Sequence, residues 1–415
     1  MHSEKKKCIW IVNYYTSSPE VTSNPRYPEF AAAFMKAGYD VITFNADTNE
    51  GISFEGKFKD VWYGEHHFVH IKSPQYIGNG LKRMISIFSF AMRLYFNKRK
   101  FIRPNIILHN LHTPFDYPIC WVAKSFHAKY IAEAWDMWPE DFVTFGFLPA
   151  NSPIMKFSYW IERKIYERAD KVIFTLEGGL DYIKNKGWTK EQGGKVDPAK
   201  VHYINNGVNL DVFEYNKKTY VRGDKDLTEP DTYKIIYMGA IQMVNRVKEV
   251  IAAAVLLEDN PKYRFFIYGD GSDREELEQY VKDQKITNVI FKEKRIPFRE
   301  VAWVVSQATV NLMNYQKKFG IHGVSSGKMF QYIAAGKPIC CNIKLNYSEI
   351  SRNNLGIDRD LETPEQYAAA IRELAEQPAV EYEAMCQRVR ETAKRFDYRA
   401  LAAEELKVIE GCFQN

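Results

Sequence analysis

Twice along this chain, short apolar runs alternate with stretches of helical periodicity, and that alternation restricts the fold more than any other feature. Strands buried on both faces read as continuous apolar runs, and helices between them make parallel βαβ units. In the first half the expected strands are Cys8–Asn13, Asp40–Asn45, Asn105–His109, Lys129–Glu133, Lys171–Thr175 and Val201–Ile204. Helices fit between them at Pro28–Ala37, Tyr117–Phe126, Pro153–Ala169 and Gly179–Lys186. The polar segment Asn216–Thr232 reads as a linker, after which a second series begins: Tyr233–Met238, Arg264–Gly269, Val289–Lys292, Thr309–Met313 and Lys337–Asn342. Helical segments Pro364–Gln377 and Glu381–Phe413 close the chain. A chain of 415 residues exceeds what one core supports. The expectation is therefore an α/β protein of two Rossmann-like domains facing each other across a cleft, with ligands beyond the carboxyl ends of the strands. The boundaries expected are 1–212 and 213–395, with 396–415 crossing back so that the last helix packs on the first domain.

The six cysteines show no CxxC or paired metal spacing, and reduced, buried thiols account for them. The apolar run after the basic start is too short for a signal-peptide core, and no run approaches a membrane span. The expected location is cytoplasmic, peripheral at the inner face of the cell membrane. The formal charge of +5 is unevenly spread. No acidic residue occurs between Glu65 and Asp116, where Lys72, Lys82, Arg83, Arg93, Lys98, Arg99, Lys100 and Arg103 all fall. Within this stretch, 81–103 reads as an apolar helix with basic ends. It suits an anionic bilayer surface, or else a core helix with a solvated basic end. A local patch on a chain of pI 8.6 argues against nucleic acid.

Residues 320–342 read as a glycine-bearing loop, a short helix, a tight Ala-Ala-Gly-Lys-Pro turn and an apolar strand. Unpaired amides and the positive end of the dipole make such a loop an anion site, with Lys328 as a mobile cation. The plain alternative is an ordinary αβ unit with a glycine C-cap at Gly336. Gly239 follows an apolar strand and precedes Arg246 and Lys248 at a helix start, a pattern that suits a diphosphate. Gly269 lies in a second strand-to-loop turn, Tyr268-Gly269-Asp270-Gly271. The loop of Arg295, Ile296 and Pro297 could hold a base edge with backbone groups.

The order of VHYINNGVNLDVF, IIYMGAI, RVKEVIAAA, FFIYGDGSDREELE, NVIFKEKRIP and GKMFQYIAAGKPI resembles the GT-B glycosyltransferases of family four, in the branch acting in bacterial surface-polysaccharide assembly. EAWDMWPED resembles that branch's Asp-x-Trp-Pro-Glu motif, and PNIILHNLHTP resembles its strand ending in a histidine. The resemblance implies a retaining transferase without metal or other cofactor, its substrate a nucleotide-diphosphate sugar, UDP or GDP foremost. The acceptor implied is lipid-linked or a polysaccharide. Arg246 falls where the family has a phosphate-binding lysine, with Lys248 as its backup, and His112 where a histidine touches the transferred sugar; His109 competes for that role. Gly323, Val324, Ser325 and Ser326 would present N–H groups to the donor, alongside Lys328 and Gln331. Arg26, Trp135, Asp136 and Glu140 would face the acceptor, with Trp135 and Trp138 able to stack on sugars or to pack in the core.

Two departures stand out. The family's Glu-x7-Glu pair is replaced by Gly323 and Gln331, and the glycine-rich first loop by SSPEVTSNPRYPEF. A neutral ribose acceptor in place of a carboxylate costs roughly 1 kcal/mol. Two alternatives therefore stand beside the transferase: an epimerase or hydrolase of the same fold, and a catalytically silent sugar-nucleotide-binding subunit. The first needs carboxylates in the cleft, for which Asp136, Glu140 and Glu177 are the candidates. A dehydrogenase is disfavoured because no GxGxxG follows the first strand.

Overall fold

The structure, a computed structural model, describes residues 6–22, 24–49, 51–78 and 80–414. Two compact units divide the chain, Met1–Asn205 with Tyr398–Asn415 and Asn206–Asp397.

Among the described residues the first unit is built on eight strands: β1 (Cys8–Val12), β2 (Asp40–Ala46), β3 (Phe58–Tyr63), β4 (His66–Ile71), β5 (Ile106–Leu111), β6 (Lys129–Ala134), β7 (Lys171–Phe174) and β8 (Val201–Tyr203). Their order is β3-β4-β2-β1-β5-β6-β7-β8, parallel throughout except for the β3–β4 pairing. The side-chain period of two sorts β1 between two cores. Trp10 and Val12 face the helices Leu81–Asn97, Pro118–Phe126 and Pro153–Arg168, while Ile9 and Ile11 face Arg26–Lys36 and Tyr398–Gly411. The last helix thus packs on the first, within this unit. Progression along the sheet reverses between β1 and β5.

The second unit has six parallel strands: β9 (Tyr233–Met238), β10 (Tyr263–Tyr268), β11 (Val289–Phe291), β12 (Val310–Met313), β13 (Ile339–Cys341) and β14 (Gly356–Asp358). The order β11-β10-β9-β12-β13-β14 reverses between β9 and β12. A crevice opens beyond the strand ends at such a reversal, because successive crossovers leave on opposite faces. All six cysteines are free and buried, and Cys340 and Cys341 point into different cores as alternation requires.

Every strand expected from the sequence forms within a residue or two of its reading. The β3–β4 hairpin and β14 are additions. The expected linker is corrected: Asn216 lies inside the helix Leu210–Thr219, and Leu227 is buried. Arg222 pairs with Glu293 and Glu300, and Asp224 and Asp226 grip Lys292. Arg222, Asp224 and Asp226 are thus paired within the second unit, to which the segment belongs.

Candidate active site

The ends of β9 and β12 converge on Lys328 in the second unit. It is the second residue of the helix Gly327–Ala335, whose N-cap Ser326 makes no side-chain cap bond. Its ammonium lies 5.0 Å from the ring centre of Tyr237, on β9, and 4.7 Å from that of Tyr315, just after β12. Oδ1 of Asn245 is 3.5 Å away. A Cβ on Gly239 would stand 3.5 Å from Nζ, so the bare glycine keeps the space above the cation open. Among the described residues no carboxylate lies within ion-pair distance of it, and burial lowers its pKa from 10.5 to about 8. A cation at a helix N-terminus opposes the dipole. Ammonium, aromatic faces and positive helix end together form a site suited to an anion, placed at the β9–β12 reversal.

Gly269 serves this geometry structurally. At φ +130° a Cβ there would stand 1.8 Å from the carbonyl oxygen of Gly239, so only glycine lets the loops after β9 and β10 lie side by side. Arg246 caps the helix Val247–Val255 in a left-handed conformation, φ +43°. Asn314, after β12, donates to its carbonyl at 3.3 Å. Its guanidinium is held by Glu249 at 2.5 and 2.6 Å, and Glu249 is oriented by Nδ2 of Asn342 at 3.0 Å. Arg246 is thus an exposed cation with a carboxylate on it. The Lys248 ammonium lies 5.6 Å from the ring centre of Tyr280, and Lys248 lines one cavity together with Arg246, Glu249, Asp273, Glu276 and Tyr367.

The other donor-loop positions divide. Gly323 adopts φ +99° and spends its N–H on the carbonyl of Gly320. Val324 is buried, and Ser325 accepts from Nδ2 of Asn206 through its hydroxyl at 3.0 Å. Gln331 is half-buried on the helix that carries Lys328. Arg295 is exposed after β11, and Ile296 packs beside Phe266, Tyr268 and Trp303.

In the first unit, His112 follows β5 and bridges the β1–β5 reversal through Nε2, 2.8 Å from Oδ1 of Asn13. Tyr15 meets its ring edge-on at 4.6 Å. Nε of Arg83 donates to the Tyr15 hydroxyl. Burial first, then His109 and Arg83, hold the His112 pKa well below 6.5. Asp116 accepts from the backbone N–H of His112 at 2.9 Å and from that of Thr113 at 3.3 Å, which fixes the loop. His109 is interior: Nδ1 contacts the Tyr130 hydroxyl at 2.8 Å, and burial lowers its pKa to about 3. Asp136 lies two residues past β6 and is exposed.

Three acceptor-side expectations land elsewhere. Arg26 is completely buried, paired with Glu133 at 2.5 Å and Glu405 at 3.3 Å, and donates to the carbonyl of Asn205. Trp135 stacks on Tyr27 at 5.1 Å, a packing role. Glu140 accepts from Lys186 at 2.6 Å and Tyr159 at 2.5 Å. Asn13, Tyr15 and Arg83, which do converge with His112, were not singled out by sequence as site residues. Asn13 and Tyr15 follow β1 and Arg83 lies on a distant helix, and only that basic helix left a signal in the sequence.

Residues 29–212 match the family model described as Glycosyltransferase Family 4, and residues 224–396 match Glycosyl transferases group 1. No curated protein matches the chain in sequence. Among solved structures, the chain is similar to "Trehalose-6-phosphate from E. coli bound with UDP-2-fluoro glucose", with 12% identity, TM-score 0.74 and 99% of each chain covered. It is also similar to WaaG, a glycosyltransferase involved in lipopolysaccharide biosynthesis, with 16% identity, TM-score 0.66, and 97% of this chain and 100% of that one covered. Anabaena HepE in complex with UDP matches with 10% identity and TM-score 0.67, over 98% of this chain and 100% of that one. Identities this low show likeness of fold alone.

Proposed function

We propose, from the premise that this chain belongs to the GT-B glycosyltransferases of family four, that it moves a sugar with retention from a nucleoside-diphosphate donor to a lipid-linked or polysaccharide acceptor in surface glycan assembly. The observation that carries this reading is Lys328, a half-buried cation with no carboxylate partner among the described residues, at the reversal of a Rossmann-like sheet. The neighbours holding UDP and UDP-2-fluoro glucose support UDP as the leaving group.

In the proposed reaction the bond between the anomeric carbon and the diphosphate oxygen breaks. Lys328 and the amides opening its helix stabilise the negative charge that develops on that oxygen, as fixed donors do best in a site that excludes water. Arg246 exchanges Glu249 for the diphosphate. The acceptor hydroxyl attacks from the face the diphosphate leaves and gives its proton to a departing phosphate oxygen. His112 contacts the transferred sugar as a neutral imidazole, and Asp136 lies on the acceptor side. Gln331 meets the ribose with a neutral amide. The membrane contact of this reading runs through 81–103.

The test is transfer from UDP- and GDP-sugars by wild type and Lys328→Met, with the product's anomeric configuration read by NMR. Loss of transfer in a folded variant and a retained configuration support the reading; full activity in Lys328→Met or an inverted product overturns it. Gly323 and Gln331 favour one rival, a silent subunit. It prevails if the wild type binds a sugar nucleotide but releases no nucleotide with any acceptor extract.

A further inference from the structure

The helix Leu81–Asn97 carries two apolar stripes, where a surface helix needs one. Ile87, Phe90 and Leu94 face the sheet. Leu81, Ile85 and Phe88, four and then three residues apart, point outward and are 73%, 52% and 44% exposed. The same thing happens on a second helix of the layer. Pro153–Arg168 buries Ile161 and Ile165 and turns Ile154, Phe157 and Trp160 outward at three-residue spacing. Phe157 and Trp160 stack on one another, ring centres 6.1 Å apart, with their outer faces open. Between these helices Pro118–Phe126 exposes Trp121, whose ring meets Tyr95 and Tyr117 at 5.8 and 5.7 Å. The three helices cover one face of one sheet, so the exposed groups belong to a single layer.

Charge accompanies this apolar surface. Lys82, Lys124 and Lys156 lie on these three helices, and Lys98, Arg99 and Lys100 on the turn that follows the first; all but the half-buried Lys98 are exposed. The acids of the three helices are Glu162, which is buried, and Glu167, which Arg163 and Lys164 cover at 2.8 and 2.7 Å. A second copy pairing symmetrically through this layer would set cations against cations. An anionic lipid surface satisfies both components, because headgroups meet the cations while aromatic side chains enter the interface.

We propose that the outer face of this three-helix layer docks on an anionic bilayer, with the Ile154–Phe157–Trp160 ridge inserted. This deepens the membrane contact of the functional reading: the surface extends beyond 81–103, and the inserted element is the third helix. It also brings the bilayer to the β1–β5 site, because Leu81 is two residues from Arg83, which bonds Tyr15 beside His112.

The experiment is flotation of the full chain with phosphatidylcholine vesicles, with and without phosphatidylglycerol. The wild type floats only with the anionic lipid, and bromine-labelled lipid quenches more tryptophan emission in wild type than in Trp160→Phe. The double variant Phe157→Ser/Trp160→Ser loses at least about tenfold in vesicle affinity with an unchanged melting temperature. Reversing Lys98, Arg99 and Lys100 to Glu abolishes flotation. Wild-type failure to float, unaltered binding of the serine variant, or a concentration-dependent dimer lost in it each overturn the proposal. Nucleotide binding, read separately by thermal shift, tests the transferase reading and leaves this one standing if it fails.

Discussion

Nε2 of His112 lies 2.8 Å from Oδ1 of Asn13, and that oxygen already accepts the backbone N–H groups of Tyr15 at 2.7 Å and Thr16 at 3.1 Å. An amide oxygen facing three polar hydrogens is an acceptor to all of them, so Nε2 carries the ring proton. Burial and the neighbouring Arg83 oppose a second proton. His112 is therefore expected to remain a neutral imidazole protonated at Nε2 well below its ordinary pKa of 6.5. Nitrogen-15 spectra at about pH 6 should show that tautomer without titration. A titrating His112 signal near 6.5 would sink the assignment.

Lys328 gives donor binding a pH dependence of definite sign. Its pKa is lowered from 10.5 to about 8, so the ammonium is present at neutral pH and lost as pH rises through 8. A diphosphate binds the charged form. Above pH 8 binding must therefore take up a proton, and affinity falls by up to about tenfold per pH unit. Calorimetric titration with UDP at pH 7 and pH 9 measures this. Lys328→Met should bind more weakly at pH 7, by about 1.5–3 kcal/mol for a lost charge-assisted bond, with a flat pH profile. A wild-type affinity independent of pH across this range would remove Lys328 from the site.

Two glycines near that lysine should respond oppositely to one added methyl group. In Gly269→Ala the Cβ falls 1.8 Å from the backbone oxygen of Gly239 at φ +130°, and the atoms it meets are all backbone, which cannot swing away as a side chain can. A loss above about 3 kcal/mol in unfolding free energy is expected, together with loss of nucleotide binding. In Gly327→Ala the Cβ meets nothing within 4 Å, and alanine favours a helical position by about 0.5–1 kcal/mol. Chemical denaturation of both variants decides whether the close loop approach is real; a tolerated Gly269→Ala would contradict it.

What the sequence revealed follows from what each group is close to along the chain. β1 is buried at all five positions, so its apolar run is continuous and legible. The β3–β4 hairpin escaped because β3, at the sheet edge, carries Lys59 and Asp60, and β4 carries three histidines. Gly239, Gly269 and Lys328 were legible because strand, turn and helix start adjoin in sequence. Asn13, Arg83 and His112 converge from three separate segments, and nothing local records their meeting. Arg26 and Trp135 show a different blindness: the residue types were visible, but their burial against Glu133 and Tyr27 depends on which way a helix and a strand face.

Glu162 predicts the direction in which the first unit loses stability with pH. It is buried and accepts from the hydroxyls of Tyr166 at 3.0 Å and Tyr182 at 2.7 Å. Burial pushes its pKa from 4.5 up to about 8. Between those values the folded state holds a proton that the unfolded state has released, so stability falls as pH rises through that window and levels off above it. Glu162→Gln keeps the shape and cannot ionise. Melting temperatures from pH 5 to pH 8 should decline less steeply in the variant; an equal slope would mean the carboxyl is ionised throughout.

Arg26 separates a structural role from a binding one. Its guanidinium is wholly enclosed, with Glu133 at 2.5 Å, Glu405 at 3.3 Å and the carbonyl of Asn205 at 2.6 Å, and it ties the first helix to β6 and to the last helix. Glu405 is pushed well above the usual carboxylate range by burial and by Glu133, so the cation balances chiefly the Glu133 carboxylate. Removing one partner of a buried pair leaves the other charge without compensation, at a cost of about 3–5 kcal/mol. Arg26→Ala should therefore lower the melting temperature sharply while leaving UDP affinity, measured below that temperature, unchanged. Adding Glu133→Gln should restore part of the loss, because the stranded charge is then gone. If Arg26→Ala instead melts like the wild type and raises only the KM for acceptor, the residue belongs to the binding surface and not to the core.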